Sequence, residues 1–154
     1  MHPHDDPRPL ESYGLMMGVY GSLAGAAVYG LRNKGDRVRR VGAMDLVVLG
    51  LATQHLTRLI SKDAITAPLR APFTEFEGPA GEGEVNERVT GTGLRHAVGE
   101  LLACPFCLGQ WAATALVSGS IAAPRLGTAA ATTLAVAQLS DYLHLVYAAL
   151  RHRN

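Results

Sequence analysis

The chain has 154 residues, enough for one domain, and a formal net charge of +1. Binding to nucleic acid or another polyanion needs clustered excess positive charge, so this balance predicts no nucleic-acid partner. Charged residues make up only 18% of the chain, against about 25% in typical soluble proteins. They are concentrated in a few blocks, which leaves long apolar stretches between them.

Four of these stretches have the length of a membrane-crossing helix. A helix rises 1.5 Å per residue, so about 20 residues cross a hydrocarbon core of about 30 Å. A soluble bundle is the alternative, but three of the stretches lack the polar stripe that a water-facing helix requires. We therefore predict an all-α membrane helical bundle of about four transmembrane helices. The predicted spans are residues 13–31, 41–60, 101–123 and 126–150.

The polar segments complete the predicted organisation. Residues 1–12 form a polar tail without the basic region of a secretory signal, so residues 13–154 are predicted to be a single membrane domain with a retained first span. Residues 74–93 are rich in Gly and Glu and are predicted to form a mobile polar loop, and no strand pattern is recognised. After it, Leu94, Val98 and Leu101 share one helical face, which predicts a short interfacial amphipathic helix.

The orientation in the membrane stays undetermined from the sequence. Five of the nine residues from Arg32 to Arg40 are basic, which favours a cytoplasmic position for that loop. With four spans, however, that choice leaves more basic residues on the opposite side than on the cytoplasmic side. The local cluster and the overall distribution therefore disagree.

The segment "ELLACPFCLGQW", residues 100–111, contains a pair of cysteines that allows several interpretations. A glutaredoxin-like site is rejected, because no βαβ pattern surrounds the pair. A structural interpretation places Cys104 before a helix whose first residue is Pro105, a position that proline favours. A chemical interpretation uses the spacing of His96, Glu100, Cys104 and Cys107, which places zinc-ligand types on one helical stripe. His144 or His55 from another span would help to complete such a site, and thiol–disulfide chemistry is the remaining alternative.

Polar side chains inside the predicted spans form a second candidate site. Ionisable groups are costly in lipid, so they are expected to face the bundle interior and find partners there. Asp141 is expected to pair with Arg58 or His144. We predict that this polar seam joins the helices by hydrogen bonds, with an ion or proton pathway as the alternative. Its members are His55, Arg58, Gln110, Gln138 and Asp141.

Two elements of the sequence form a recognisable combination, the first in "LATQHLTRLISKDAITAPLRAPF" and the second in "GELLACPFCLGQW". Together they resemble domain-of-unknown-function family 1360, a bacterial family of small integral membrane proteins. The resemblance covers about residues 45–150, so the glycine-rich first span looks like an addition to the family core. It implies a multi-pass protein of the inner membrane and implies no activity. The matching residues are Leu56, Thr57, Arg58, Leu59, Ile60 and Asp63 in the first element, and Leu101, Leu102, Cys104, Pro105, Cys107, Gly109 and Trp111 in the second.

Taken together, these features predict a structural or accessory membrane subunit rather than an enzyme. Its expected partners are the lipid bilayer and either a second copy of itself or a larger membrane complex. The first alternative is a membrane thiol-redox or metal-binding protein that uses Cys104 and Cys107, with zinc as the metal. The second alternative is a small ion or proton pathway.

Overall fold

The computed structural model describes residues 9–32 and 41–151, so the predicted tail up to residue 8 and most of the basic cluster lie outside the described residues. Within these ranges the chain forms six α-helices, one 3₁₀ turn and a two-stranded sheet. In chain order the elements are α1 (Leu10–Arg32), α2 (Ala43–Ser61), the 3₁₀ turn (Ala64–Thr66), α3 (Ala67–Arg70), β1 (Thr74–Gly81), β2 (Glu84–Val89), α4 (Gly93–Ala103), α5 (Pro105–Ala122) and α6 (Pro124–Arg151).

Local sequence signals explain where several helices begin. The carboxylate of Asp45 accepts a hydrogen bond from the Gly42 backbone N–H at 2.9 Å, which caps the N-terminal end of α2. Pro105 and Pro124 are the first residues of α5 and α6, where the missing N–H of proline costs nothing. Because Cys104 has an extended backbone, α4 and α5 meet at an angle of 79°.

The core lies where α2, α5 and α6 pack together. Ala52 and Ala131 are almost completely buried, and such small side chains allow the helix axes to approach closely. The corner between α5 and α6 is also tight, because a Cβ atom on Gly127 would lie 2.5 Å from the Cα atom of Ser120. Leu49 completes the buried cluster, and the partly buried residues around it are Val48, Leu116, Val117 and Leu134.

The segment predicted to be a polar loop forms an antiparallel hairpin, so the expectation of no strands is wrong. Thr74 pairs with Val89 at the open end, and Gly81 pairs with Glu84 at the turn. Gly81 and Gly83 both have φ values near +90°, which glycine adopts without strain. The glycines that suggested a loop therefore build the hairpin turn. The mobility of this segment stays a prediction.

The predicted four-span, all-α bundle is also wrong. In the described ranges only α1 is long and apolar enough to cross a membrane, and a second span would result only if the bent pair α4–α5 were counted as one. The other predicted spans are helical, but polar, proline and glycine residues lower their mean hydropathy. Length and a low number of charges were therefore insufficient evidence for membrane crossing, and the multi-pass location is not supported.

Candidate functional site

A cavity of about 690 Å³ lies between α1 on one side and α4 and α5 on the other. We call it the α1 groove. Most of its wall is apolar or aromatic, and the second sequence motif supplies one side of it. The lining residues are Tyr13, Met16, Met17, Tyr20, Val89, Ala97, Glu100, Leu101, Ala103, Cys104, Cys107, Gln110 and Trp111.

Two tyrosines of α1 connect this helix to the rest of the protein. The Tyr13 hydroxyl donates a hydrogen bond to Glu100 Oε2 on α4. Tyr20 lies seven residues later on the same helical face, and its hydroxyl accepts a hydrogen bond from Gln110 Nε2 at 2.7 Å. The Tyr20 ring also meets the Trp111 ring edge-on, with 5.2 Å between the ring centroids. Polar contacts at two levels therefore hold α1 beside α4 and α5.

The two cysteines lie in the wall of the groove but have different roles. Cys104 precedes α5, and its Sγ atom accepts a hydrogen bond from the Cys107 backbone N–H at 3.2 Å. Cys107 lies one turn later, and the pKa of its thiol is raised to about 11. Partial desolvation is the largest cause, and the hydrogen bond with the Cys104 side chain and electrostatic repulsion from Cys104 and Glu100 also contribute. The Cys107 thiol is therefore protonated at neutral pH.

The residues of the predicted zinc stripe are only partly brought together. His96 Nε2 lies 3.4 Å from Glu100 Oε1, and Glu100 shares the groove wall with both cysteines. His144 is exposed on α6 and is not among the groove residues. Between residues 9 and 32 and between 41 and 151, no group of three or more His, Cys, Asp or Glu side chains could hold a metal ion. This geometry gives the zinc hypothesis no support.

The predicted polar seam is present in part, with Arg58 at its centre. The guanidinium of Arg58 contacts Asp141 of α6 at 3.2 Å and Glu84 of the hairpin at 2.5 Å. His55 Nδ1 lies 3.4 Å from Asp141 Oδ2, without the geometry of a hydrogen bond. Gln138 is fully buried three residues before Asp141. The seam therefore joins α2, α6 and the hairpin, and its use as an ion or proton pathway stays a prediction.

Gln110 does not belong to this seam, because it lines the α1 groove and binds Tyr20. A smaller cleft of about 240 Å³ instead brings the two sequence motifs together. Thr57 and Arg58 of the first motif line it opposite Pro105 of the second. Phe106 also lines it, although 93% of this side chain's surface is exposed.

Sequence reasoning missed the buried ion pair of Arg70 and Glu87. Arg70 has no exposed surface, and its Nε atom lies 2.6 Å from Glu87 Oε2. The remaining donors of its guanidinium reach the carbonyl oxygens of Ile60 and Asp63 and the hydroxyl of Thr66. A lone arginine between two prolines was the available signal, but its partner is 17 residues away in the hairpin.

Comparison with known proteins gives the family. A family described as "Protein of unknown function (DUF1360)" matches residues 48–147, a range that contains both motifs and leaves out α1. The sporulation protein YjcA of Bacillus subtilis (strain 168) is 35% identical over 106 residues, which are 67% of this chain and 90% of that protein. No solved structure matches the chain. The resemblance found in the two motifs is confirmed at the level of the family: the chain belongs to the DUF1360 family.

Proposed function

We propose that this protein is a non-enzymatic accessory protein that α1 holds in the cytoplasmic membrane. The observation that carries this proposal is the exposure of α1. The helix has 23 residues, none of which is buried, and large exposed apolar side chains recur along it, among them Leu15, Val19, Leu23 and Val28. A contiguous apolar surface of this kind marks a contact with another protein or with a membrane, and a helix of this length can cross a bilayer.

A single span also removes the conflict over orientation. The two ends of α1 differ in their number of basic residues. Arg8 is the one Lys or Arg that this sequence has before α1, whereas five follow its apolar part closely, namely Arg32, Lys34, Arg37, Arg39 and Arg40. Lys and Arg near a span favour the cytoplasmic side, so the C-terminal end of α1 belongs at the cytoplasmic face of the membrane.

The accessory role is supported by a second exposed surface at the C-terminal half of α6. Five large exposed side chains recur at the spacing of one helical face, which forms an apolar stripe of the kind that packs against another helix. The relative's name places that protein in sporulation, and we extend an accessory role in that process to this chain. The stripe consists of Leu139, Leu143, Val146, Tyr147 and Leu150.

Two matched double variants test the proposal. V19R/L23R places two arginines in α1, each of which costs about 2.5–3.5 kcal/mol at the centre of a membrane helix. We expect this variant to leave the membrane fraction on alkaline extraction. L143R/V146R places the same charges on the α6 stripe, and we expect it to stay in the membrane but to lose mass as a detergent-solubilised assembly.

Retention of V19R/L23R in the membrane, or release of both variants, contradicts the proposal, because either result rules out α1 as the anchor. An apolar helix near an N-terminus is also typical of a signal sequence. Mass spectrometry of the purified protein must therefore recover peptides from Leu10–Arg32, because their absence would mean that α1 is removed.

A thiol function is the second candidate, since both cysteine sulfurs line the α1 groove. The raised pKa of Cys107 counts against it, because the thiolate is the reactive form. C104S/C107S distinguishes the two functions. Unchanged assembly and unchanged phenotype in this variant eliminate the thiol function, whereas loss of the phenotype with intact assembly favours it.

A further inference from the structure

We propose that the α1 groove binds one hydrocarbon chain of a membrane lipid. This inference rests on the proposed anchoring by α1. It goes further by assigning a ligand class to a specific cavity, in which the lipid is a bound component and not only the surrounding solvent.

The size and lining of the groove fit such a ligand. Its volume of about 690 Å³ lies within the range of about 300–1,000 Å³ that is typical of small-molecule sites. Met16, Met17 and Leu101 give it a flexible apolar wall, and methionine in particular adapts to irregular apolar shapes. Trp111 adds a large aromatic surface.

The groove stays open because of how α1 is attached. Tyr13 and Tyr20 reach across to α4 and α5 two helical turns apart, and no residue of α1 is buried. The outer wall of the groove is therefore the helix that is proposed to contact lipid. A lipid chain can enter sideways from the bilayer without passing through water.

The polar groups of the groove favour an apolar occupant. The Glu100 carboxylate accepts a hydrogen bond from the Tyr13 hydroxyl. The Gln110 amide donates a hydrogen bond to the Tyr20 hydroxyl, which also shares a hydrogen bond with the Thr114 hydroxyl at 2.9 Å. These groups are paired with one another across the groove. The surface between them offers dispersion contacts and apolar burial, which a hydrocarbon chain satisfies.

The fluorescence of Trp111 provides a direct test, because it is the only tryptophan in the chain. The full-length protein is reconstituted into phosphatidylcholine vesicles whose acyl chains carry bromine, which quenches tryptophan on contact. A103F fills the groove, and A115F adds the same ring at an exposed position of α5 outside it. We expect strong quenching in the wild type and A115F, and a loss of quenching in A103F.

Native mass spectrometry gives a second measurement, in which one retained phospholipid per chain is expected for the wild type and A115F and none for A103F. Circular dichroism checks folding, and L101F fills the same groove if A103F does not fold. A protein that does not enter the vesicles contradicts the proposed anchoring. A protein that enters them, but whose Trp111 is unquenched or is quenched equally in A103F, overturns the lipid site.

Discussion

At the scale of single residues, the two cysteines show how environment separates identical side chains. The start of a helix normally lowers the pKa of a thiol, so the sequence left thiol chemistry open beside the structural interpretation of the pair. In the structure, Cys104 accepts a backbone hydrogen bond at the start of α5, and Cys107 lies in the partly apolar α1 groove. Desolvation and the neighbouring Cys104 outweigh the effect of the helix start at Cys107.

This difference predicts slow alkylation of Cys107. The pKa rises from 9.0 to about 11, and each pKa unit is a factor of ten, so below pH 9 the thiolate fraction is about 100-fold lower than in an ordinary thiol. We expect the iodoacetamide rate at Cys107, followed by mass spectrometry, to keep rising with pH above 9. C104S removes one cause of the shift and should speed the reaction. A rate that levels off below pH 9 contradicts the prediction.

Gly127 provides a second prediction at this scale. A methyl group there would lie 2.5 Å from Ser120 Cα and 2.6 Å from the Gly119 backbone, so G127A must open the α5–α6 corner. Overpacking of this kind costs about 1–3 kcal/mol, which lowers the unfolding temperature measured by circular dichroism in detergent. G109A is the matched control, because nothing lies within 4 Å of its added carbon. Equal unfolding temperatures for the two variants would show that the corner is not tightly packed.

At the scale of elements, the hairpin depends on a charge pair that composition does not reveal. Arg70 at the end of α3 lies against Glu87 of β2, and both side chains are largely removed from water. Thr74 adds hydrogen bonds to the Arg70 carbonyl oxygen and to Glu87. Gly99 of α4 allows the close contact with the hairpin, because a Cβ atom there would meet Val89 at 2.7 Å.

R70M should therefore destabilise the protein strongly. Removing one partner leaves the Glu87 charge buried without compensation, a change that costs about 3–5 kcal/mol. R88M on the same strand breaks an ion pair with Glu75 in which both side chains are mostly exposed, and such pairs contribute below about 1 kcal/mol. Thermal unfolding of both variants in detergent measures the difference. Similar losses in R70M and R88M would refute a special role for the buried pair.

The same elements show how far the sequence predicted the fold. Apolar runs located the long helices well, because helical length and the positions of charges are local properties. The hairpin was missed because the Arg70–Glu87 pair connects residues 17 positions apart, and the surrounding Gly and Glu residues resemble a solvated loop. For the site, the cost of isolated charges predicted that Asp141 pairs with Arg58 or His144, and the structure shows the pair with Arg58. The groove depends on the placement of α1, which the sequence does not reveal.

At the scale of the whole molecule, the protein is a family domain with an added helix. The family range begins at residue 48, so α1 and its groove-forming tyrosines lie outside it. Within the part of the chain that the structure describes, no residue of α1 is buried. The polar and aromatic contacts that hold it there include the Tyr13–Glu100 bond and the contacts of Tyr20 with Gln110, Thr114 and Trp111.

Removing both tyrosine hydroxyls should release α1 from the domain but not from the membrane. The Tyr13 bond to a carboxylate contributes about 1.5–3 kcal/mol and each neutral bond of Tyr20 about 0.5–1.5 kcal/mol, while the apolar length of α1 is unchanged in Y13F/Y20F. We expect stronger quenching of Trp111 by aqueous acrylamide together with unchanged resistance to alkaline extraction. Y29F removes a hydroxyl from an exposed tyrosine of the same helix and should change neither result. If Trp111 is equally accessible in both variants, the apolar contacts alone position α1, and the groove is maintained without its hydrogen bonds.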